Sequence, residues 1–143
     1  MEILFIKTRS KGLKAFSKRE WEKIHPLHYG KKMDGNYWNE KIFRFIAKEK
    51  GKIIATISGE VMAGVMRIEE MIISGNNRRL GVGKALMKEA EKFGKKNRVH
   101  IIYLETGITW EAVDFYKSQG FKIHTVLRSF YSKRDFVIMK KEL

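Results

Sequence analysis

The chain has 143 residues, 43% hydrophobic and 12% aromatic, which suits one domain spanning 1–143 and excludes wholesale disorder. It has no cysteine, so disulfide scaffolds, thiolate zinc sites and cysteine nucleophiles are excluded. Thirty Lys and Arg against sixteen Asp and Glu give +14, a field that attracts nucleic acid, acidic membranes or polyphosphate ligands.

Residues 2–8 are apolar and β-rich, and read as a strand. No charged leader or small-residue cleavage site marks a signal peptide, and no apolar run reaches the ~20 residues of a membrane helix, so a cytoplasmic protein is expected. Ser17 with Glu20 three positions later forms a capping-box pattern that opens a helix over 17–29, and Pro26 should bend or end it. Residues 30–41 read as a polar loop. Strands follow over 42–49 and 52–60, joined at Lys50-Gly51 by a hairpin turn, and a further strand covers 64–73. Val82, Ala85, Leu86, Ala90 and Phe93 have helical spacing, which predicts a helix over 82–97. A buried strand over 99–105, a helix over 109–118 stopped by Gly120, and strands over 121–127 and 134–140 complete the chain. The order β-α-β-β-β-α-β-α-β-β predicts an α/β (α+β) domain with one central sheet.

The segment Arg78-Arg79-Leu80-Gly81-Val82-Gly83-Lys84 follows a predicted strand and opens a predicted helix. Its glycines permit close approach to a ligand, and the first N–H groups of a helix favour an anion. With three cationic side chains, the segment suits a pyrophosphate. It is not a P-loop, because Arg78 stands where the first glycine belongs and Ala85 follows Lys84. It is not a dinucleotide fingerprint, because Leu86 occupies the third glycine position.

Arg78-x-x-Gly81-x-Gly83 resembles the acetyl-CoA motif of the GNAT N-acetyltransferase superfamily. Ile68-Glu69-Glu70-Met71-Ile72-Ile73 is similar to that family's fourth strand, and Ala112-Val113-Asp114-Phe115-Tyr116 with Gly120-Phe121 to its second motif. The resemblance covers roughly residues 42–140. Thr109 stands where the family commonly has Asn, and should cap the following helix; Gly75 stands where it often has Pro.

The resemblance implies a mixed, mostly antiparallel sheet flanked by helices, with a V-shaped splay between its fourth and fifth strands. It implies acetyl-CoA as cosubstrate and transfer of an acetyl group to a primary amine of a small molecule or a protein; with no cysteine to carry an acyl group, direct transfer in a ternary complex is the simplest scheme. The backbone of Met71 and Ile73 would pair with the pantetheine arm. The amides of residues 79–84 (Arg79, Leu80, Gly81, Val82, Gly83 and Lys84) would hold the pyrophosphate. Glu69 matches the Glu of polyamine-acetylating relatives and would act as base; strand alternation puts Glu69 and Glu70 on opposite faces, so only one can serve. The Met71 N–H would stabilise the oxyanion, and Tyr116 would protonate the leaving thiolate.

Other features have plainer readings. Glu69 could instead pair with Arg67, Tyr116 pack in the core beside Phe115, and Glu105 be structural. His25 and His28 lack acidic or cysteine companions, so no metal is expected. Trp21, Tyr29, Tyr37 and Trp38 either line an acceptor pocket or pack their loop. The basic runs Lys31-Lys32, Lys95-Lys96 and Lys140-Lys141 read as solvated faces. A net +14 repels free polyamines and steers anionic or acidic-surfaced acceptors inward. Two rival readings stand beside the enzyme: a non-catalytic CoA-binding module and a basic nucleic-acid-associated protein. The closing strands, with Phe130, Tyr131 and Phe136, offer an edge on which a second copy would form a homodimer.

Overall fold

The computed structural model describes residues 1–30 and 35–143. Lys31-Lys32 and the middle of the 30–41 loop lie outside the described residues. The chain divides into two compact units, Met1–Tyr37 and Trp38–Leu143.

In the first unit, residues 1–10 form no strand, and Ile3, Leu4 and Phe5 are exposed. Apolar, β-prone composition makes a strand only where a ladder accepts its backbone, and none is formed here. The helix α1 (Lys11–Tyr29) begins six residues before the expected start of 17. Ser10 is its N-cap, accepting from the Leu13 N–H at 3.2 Å. Ser17 and Glu20 lie inside the helix, where Glu20 pairs with Arg19 and Lys23. Pro26 does not end α1: it sits in the last turns, and the helix closes at left-handed Gly30, whose N–H reaches the Pro26 carbonyl.

The second unit is a sheet with strand order β1-β2-β3-β4-β6-β5. The strands are β1 (Lys41–Glu49), β2 (Lys52–Met62), β3 (Val65–Ile73), β4 (Ile101–Gly107), β5 (Lys122–Leu127) and β6 (Phe136–Glu142). Among the described residues, β3 and β4 pair in parallel and the other neighbours are antiparallel. Because residues 2–8 form no strand, the expected fourth and fifth strands are β3 and β4. Two tight hairpins join β1–β2 and β2–β3; Lys50 and Gly51 have φ 48° and 77°, Ala63 and Gly64 φ 51° and 78°. Such paired left-handed turns match the twist of the strands they join.

The helix α2 (Val82–Lys96) lays Leu86, Met87 and Ala90 on the sheet, and Phe93 meets Phe43 with ring centroids 5.6 Å apart. Ile57, Met66, Ile102, Val137 and Met139 fill the core beneath. The helix α3 (Ala112–Ser118) buries Val113 and Tyr116. Lys141 of β6 ties both helices down, reaching Glu91 of α2 at 2.6 Å and the Gln119 carbonyl past α3 at 2.8 Å.

The parallel ladder runs from Val65–Ile101 to Ile68–Leu104 and stops. Both strands continue, β3 to Ile73 and β4 to Gly107, without pairing to each other. This is the V-shaped splay. It opens where β3 bulges: Ser58 pairs with Glu70 but Gly59 with Ile68, leaving Glu69 as the extra residue. Gly59 permits it, since a Cβ there would lie 1.9 Å from the Arg67 carbonyl oxygen.

Gly59→Ala is therefore expected to destabilise by about 1–3 kcal/mol, because backbone must move. Gly83→Ala should cost less. Its Cβ would press only side chains, at 2.9 Å from Ile73 and 3.1 Å from Met71, and helix propensity offsets it by up to about 1 kcal/mol. Urea unfolding of both variants checks the ranking; equal costs would contradict it.

Candidate functional site

Strand β3 changes face at its bulge. Before it, Met66 points to α2, 3.2 Å from where a Cβ on Gly94 would lie. After it, Met71 and Ile73 point to α2, against Gly83. The inward residues are even-numbered, then odd-numbered. Strict alternation would put Glu69 and Glu70 on opposite faces; the bulge leaves both exposed and neither beneath α2.

The backbone of β3 is set the same way. The Ser74 N–H donates to the Ile54 carbonyl at 2.9 Å. Counting back along an antiparallel ladder, residues 72 and 70 turn their N–H and C=O to β2, and Met71 and Ile73 turn theirs to the β4 side. The β4 ladder has already ended there. Arg78 Nε reaches the Ile73 carbonyl at 3.4 Å.

The turn from β3 to α2 is left-handed at Arg79 (φ 62°) and Gly81 (φ 80°). A non-glycine residue held there costs about 1–3 kcal/mol. Gly81 is the N-cap of α2, with no side-chain cap and no acidic residue in the first turn. The first N–H groups of α2 thus carry the helix dipole without a local carboxylate to answer it. Nothing lies within 4 Å of a Cβ on Gly81. Gly83 differs: it is a packing glycine against Met71, Ile73 and Phe115. Arg78, Leu80 and Lys84 are exposed, and Val82 packs against the core.

Two adjoining cavities occupy the splay. The larger, about 840 Å³, is lined by Met71, Ile73, Arg78, Arg79, Thr109 and Tyr116 among others. The smaller, about 260 Å³, sits where the ladder ends and includes Glu69, Glu70, Glu105, Met71 and Tyr116. Thr109 does not cap α3: the helix starts at Ala112, and its N-cap, Glu111, makes no side-chain cap hydrogen bond. The chain makes a further turn first, with the Trp110 N–H on the Gly107 carbonyl.

Tyr116 is 7% exposed, and burial pushes its phenol up to about 12. Around the smaller cavity charge is locally acidic although the whole chain carries +14. Arg67 lies 4.0 Å from Glu69 and 3.7 Å from Glu105. The Tyr131 hydroxyl donates to Glu105 at 3.0 Å, and that bond raises the phenol above its ordinary range. The Glu60 carboxyl is also raised, first by its hydrogen bond with Glu40, then by burial and by the charges of Glu40 and Glu69.

Tyr131 is delivered by the β5–β6 loop. Ser129, Ser132 and Lys133 are all left-handed there. Asp135 holds the loop, accepting from Arg128 at 2.6 Å and from the Ser129 N–H at 2.9 Å. Composition gives no sign of this brace, because Tyr131 meets Glu105 only through the β4–β6 pairing. Trp110 was also unmarked by any motif; a bulky aromatic after Gly107 at a strand–helix junction is the signal that was there.

On α1, the His25 ring centroid lies 5.3 Å from that of Trp21, tilted, and 5.8 Å from that of Tyr29, edge-on. Among the described residues no group of three or more His, Cys, Asp or Glu is placed to hold a metal ion, and no helix is long and apolar enough to cross a membrane.

A family model described as "Acetyltransferase (GNAT) family" matches residues 12–121. No curated protein sequence matches the chain. Among solved structures, an acetyltransferase from Bacillus cereus ATCC 14579 superposes with TM-score 0.71 at 19% identity, covering 98% of both chains. The ribosomal-protein-S18-alanine N-acetyltransferase from Escherichia coli gives 0.66 at 21% identity, over 80% of this chain and 79% of that one. A GNAT family acetyltransferase from Elizabethkingia anophelis, with acetyl-CoA bound, gives 0.64 at 17% identity, over 70% and 75%.

Hydrogen bonds from the Ser129 N–H and Arg128 hold the Asp135 carboxyl below its ordinary value of 3.8. Its contribution to stability is present above that ordinary value and is lost as pH falls through the depressed folded one. Asp135→Asn should therefore lower Tm at neutral pH, with the gap to the parent closing in strong acid. Thermal melts across pH check this; a gap unchanged by acid would contradict it.

Proposed function

The chain belongs to the GNAT acetyltransferase family, and we propose that it is an acetyl-CoA-dependent N-acetyltransferase acting on a primary amine by direct attack in a ternary complex. One observation carries the reading. The β3 backbone at Met71 and Ile73 lies beyond the end of the β4 ladder, beside a cavity of about 840 Å³ bordered by Arg78 and Arg79, and Arg78 Nε reaches the Ile73 carbonyl. That cavity is within the range of about 300–1,000 Å³ usual for ligand sites. The left-handed Arg79 and Gly81, and the uncapped start of α2, fit a pyrophosphate. The bound cosubstrate supplies a thioester as acyl donor. Alignment of the family model across 12–121 supports reading 1–143 as a single domain.

The chain's own groups divide the remaining work. Arg79, Leu80, Gly81, Val82, Gly83 and Lys84 present backbone N–H groups to the pyrophosphate, with Arg78 beside them. Met71 and Ile73 orient the pantetheine arm, and Thr109 lines the same cavity. An amine with a pKa near that of lysine, about 10.4, arrives protonated. Glu69, at the smaller cavity, takes its proton directly or through a water. Glu105 lines that cavity too, and the local carboxylates favour an ammonium at contact range despite the overall +14, because charges beyond about 8 Å are screened at physiological salt. The Met71 N–H donates to the oxyanion. Tyr116 stays protonated at neutral pH. With a pKa of about 12 it is a weaker acid than a thiol, about 8.5, so it hydrogen-bonds the leaving thiolate, which is protonated by the second proton that the attacking nitrogen gives up as the C–S bond breaks and the amide forms.

Calorimetric titration with acetyl-CoA at physiological salt should give saturable one-site binding. Gly81→Val should weaken it about tenfold or more, because charge-assisted hydrogen bonds are worth about 1.5–3 kcal/mol. Absent binding, or binding that Gly81→Val leaves intact in a folded variant, would overturn the cofactor assignment. With a panel of primary amines and free-thiol detection, Glu69→Gln should lower kcat about 10²–10⁴-fold. Unchanged turnover would remove Glu69 as base.

A further inference from the structure

Trp110 lines both cavities of the splay. Of the residues the two cavities share, Trp110 and Ile72 are the exposed ones, at 58% and 59%. Ile72 stands on the β3 arm, and Trp110 on the turn that follows the β4 arm. The indole does not swing free there. A Cβ on Gly107 would lie 2.5–2.6 Å from its Cε2, Cδ2 and Nε1, so the ring is laid on the bare Gly107 backbone. The Trp110 N–H closes the turn on the Gly107 carbonyl at 3.0 Å. The Phe136 ring stands against it at 5.4 Å and 68°, and Tyr131 packs on Phe136 at 5.1 Å. The side chain is thus exposed yet held on two sides.

We infer that Trp110 limits the size of the acyl group, selecting acetyl over longer chains, with Gly107 as the residue that lets the indole occupy the opening. The inference rests on the proposed reading of the larger cavity as the acyl-donor site. The larger cavity, about 840 Å³, reaches from Met71 and Tyr116 to Arg78 and Arg79; the smaller holds the ladder end and the carboxylates. A thioester carbonyl must sit where they meet if an amine is to reach it. The indole borders that junction, so a chain extending beyond the carbonyl runs into it. A flat, buttressed ring excludes by shape, and one methylene in an apolar pocket changes affinity by about 10–200-fold at most. The expected selectivity is therefore graded with chain length rather than absolute.

The test is calorimetric affinity of the full chain for CoA, acetyl-CoA, butyryl-CoA and hexanoyl-CoA. The parent should bind hexanoyl-CoA at least about tenfold more weakly than acetyl-CoA. Trp110→Ala should reduce that ratio to within about threefold. Gly107→Ala keeps the indole but displaces it, and should shift the ratio in the same direction. Thermal melts establish that each variant is folded, and either variant suffices if the other is not. A parent that binds acetyl- and hexanoyl-CoA equally overturns the inference while leaving the cofactor site standing. So does a ratio that neither folded variant changes. A parent that binds no CoA at all overturns the donor-site reading itself, and this inference with it.

Discussion

Everything at the site depends on one extra residue in β3. Glu69 has no partner opposite it, and the bare Cα of Gly59 leaves room for the Arg67 carbonyl that the bulge pushes across. Bulges bend and overtwist the strand that carries them. The parallel pairing to β4 ends one residue earlier, at Ile68–Leu104. From that point the two strands separate, and neither continues the ladder with the other. The same insertion exchanges the inward set on β3, so that Met71 and Ile73 rather than even-numbered residues support α2.

Four glycines serve the site for four different reasons. Gly59 admits a carbonyl, Gly81 supplies a left-handed turn, Gly83 lets α2 settle on Met71 and Ile73, and Gly107 gives space to an indole. Only Gly81 relates to ligand approach through open space. The charges divide as well. The cleft bordered by Arg78 and Arg79 suits polyphosphate, and the Arg67, Glu69, Glu105 and Tyr131 group suits an ammonium. On the proposed reading, the net charge of +14 favours approach of a polyphosphate cosubstrate, while the acceptor side is locally acidic.

Local signals were legible in the sequence where structure is locally determined. The hairpin turn at Lys50-Gly51, the spacing of α2 and the stop at Gly120 depend on neighbours in the chain, and all three are formed. The motif at Arg78–Lys84 was legible because turn, helix start and charge are contiguous. What needed a partner element was not. Residues 2–8 have a strand's composition and no ladder. Alternation misplaces Glu69 and Glu70, because a bulge depends on what the facing strand tolerates, here Gly59. The Tyr131–Glu105 bond spans β4, β6 and a strained loop, and no periodicity announces it. The capping-box pattern at Ser17 and Glu20 lies inside the helix, which extends back to Ser10, a lone serine whose side chain accepts from the Leu13 N–H.

The proposed function requires the β3 arm beyond the ladder and the start of α2 to receive acetyl-CoA together. Amide chemical shifts of isotope-labelled protein, followed during titration with acetyl-CoA, should change most at the Met71, Ile73 and Arg79–Lys84 amides, with Ser58 and Gly59 behind the bulge little moved. Changes confined to the basic surface around Lys95-Lys96 and Lys140-Lys141, with the β3 arm silent, would contradict it.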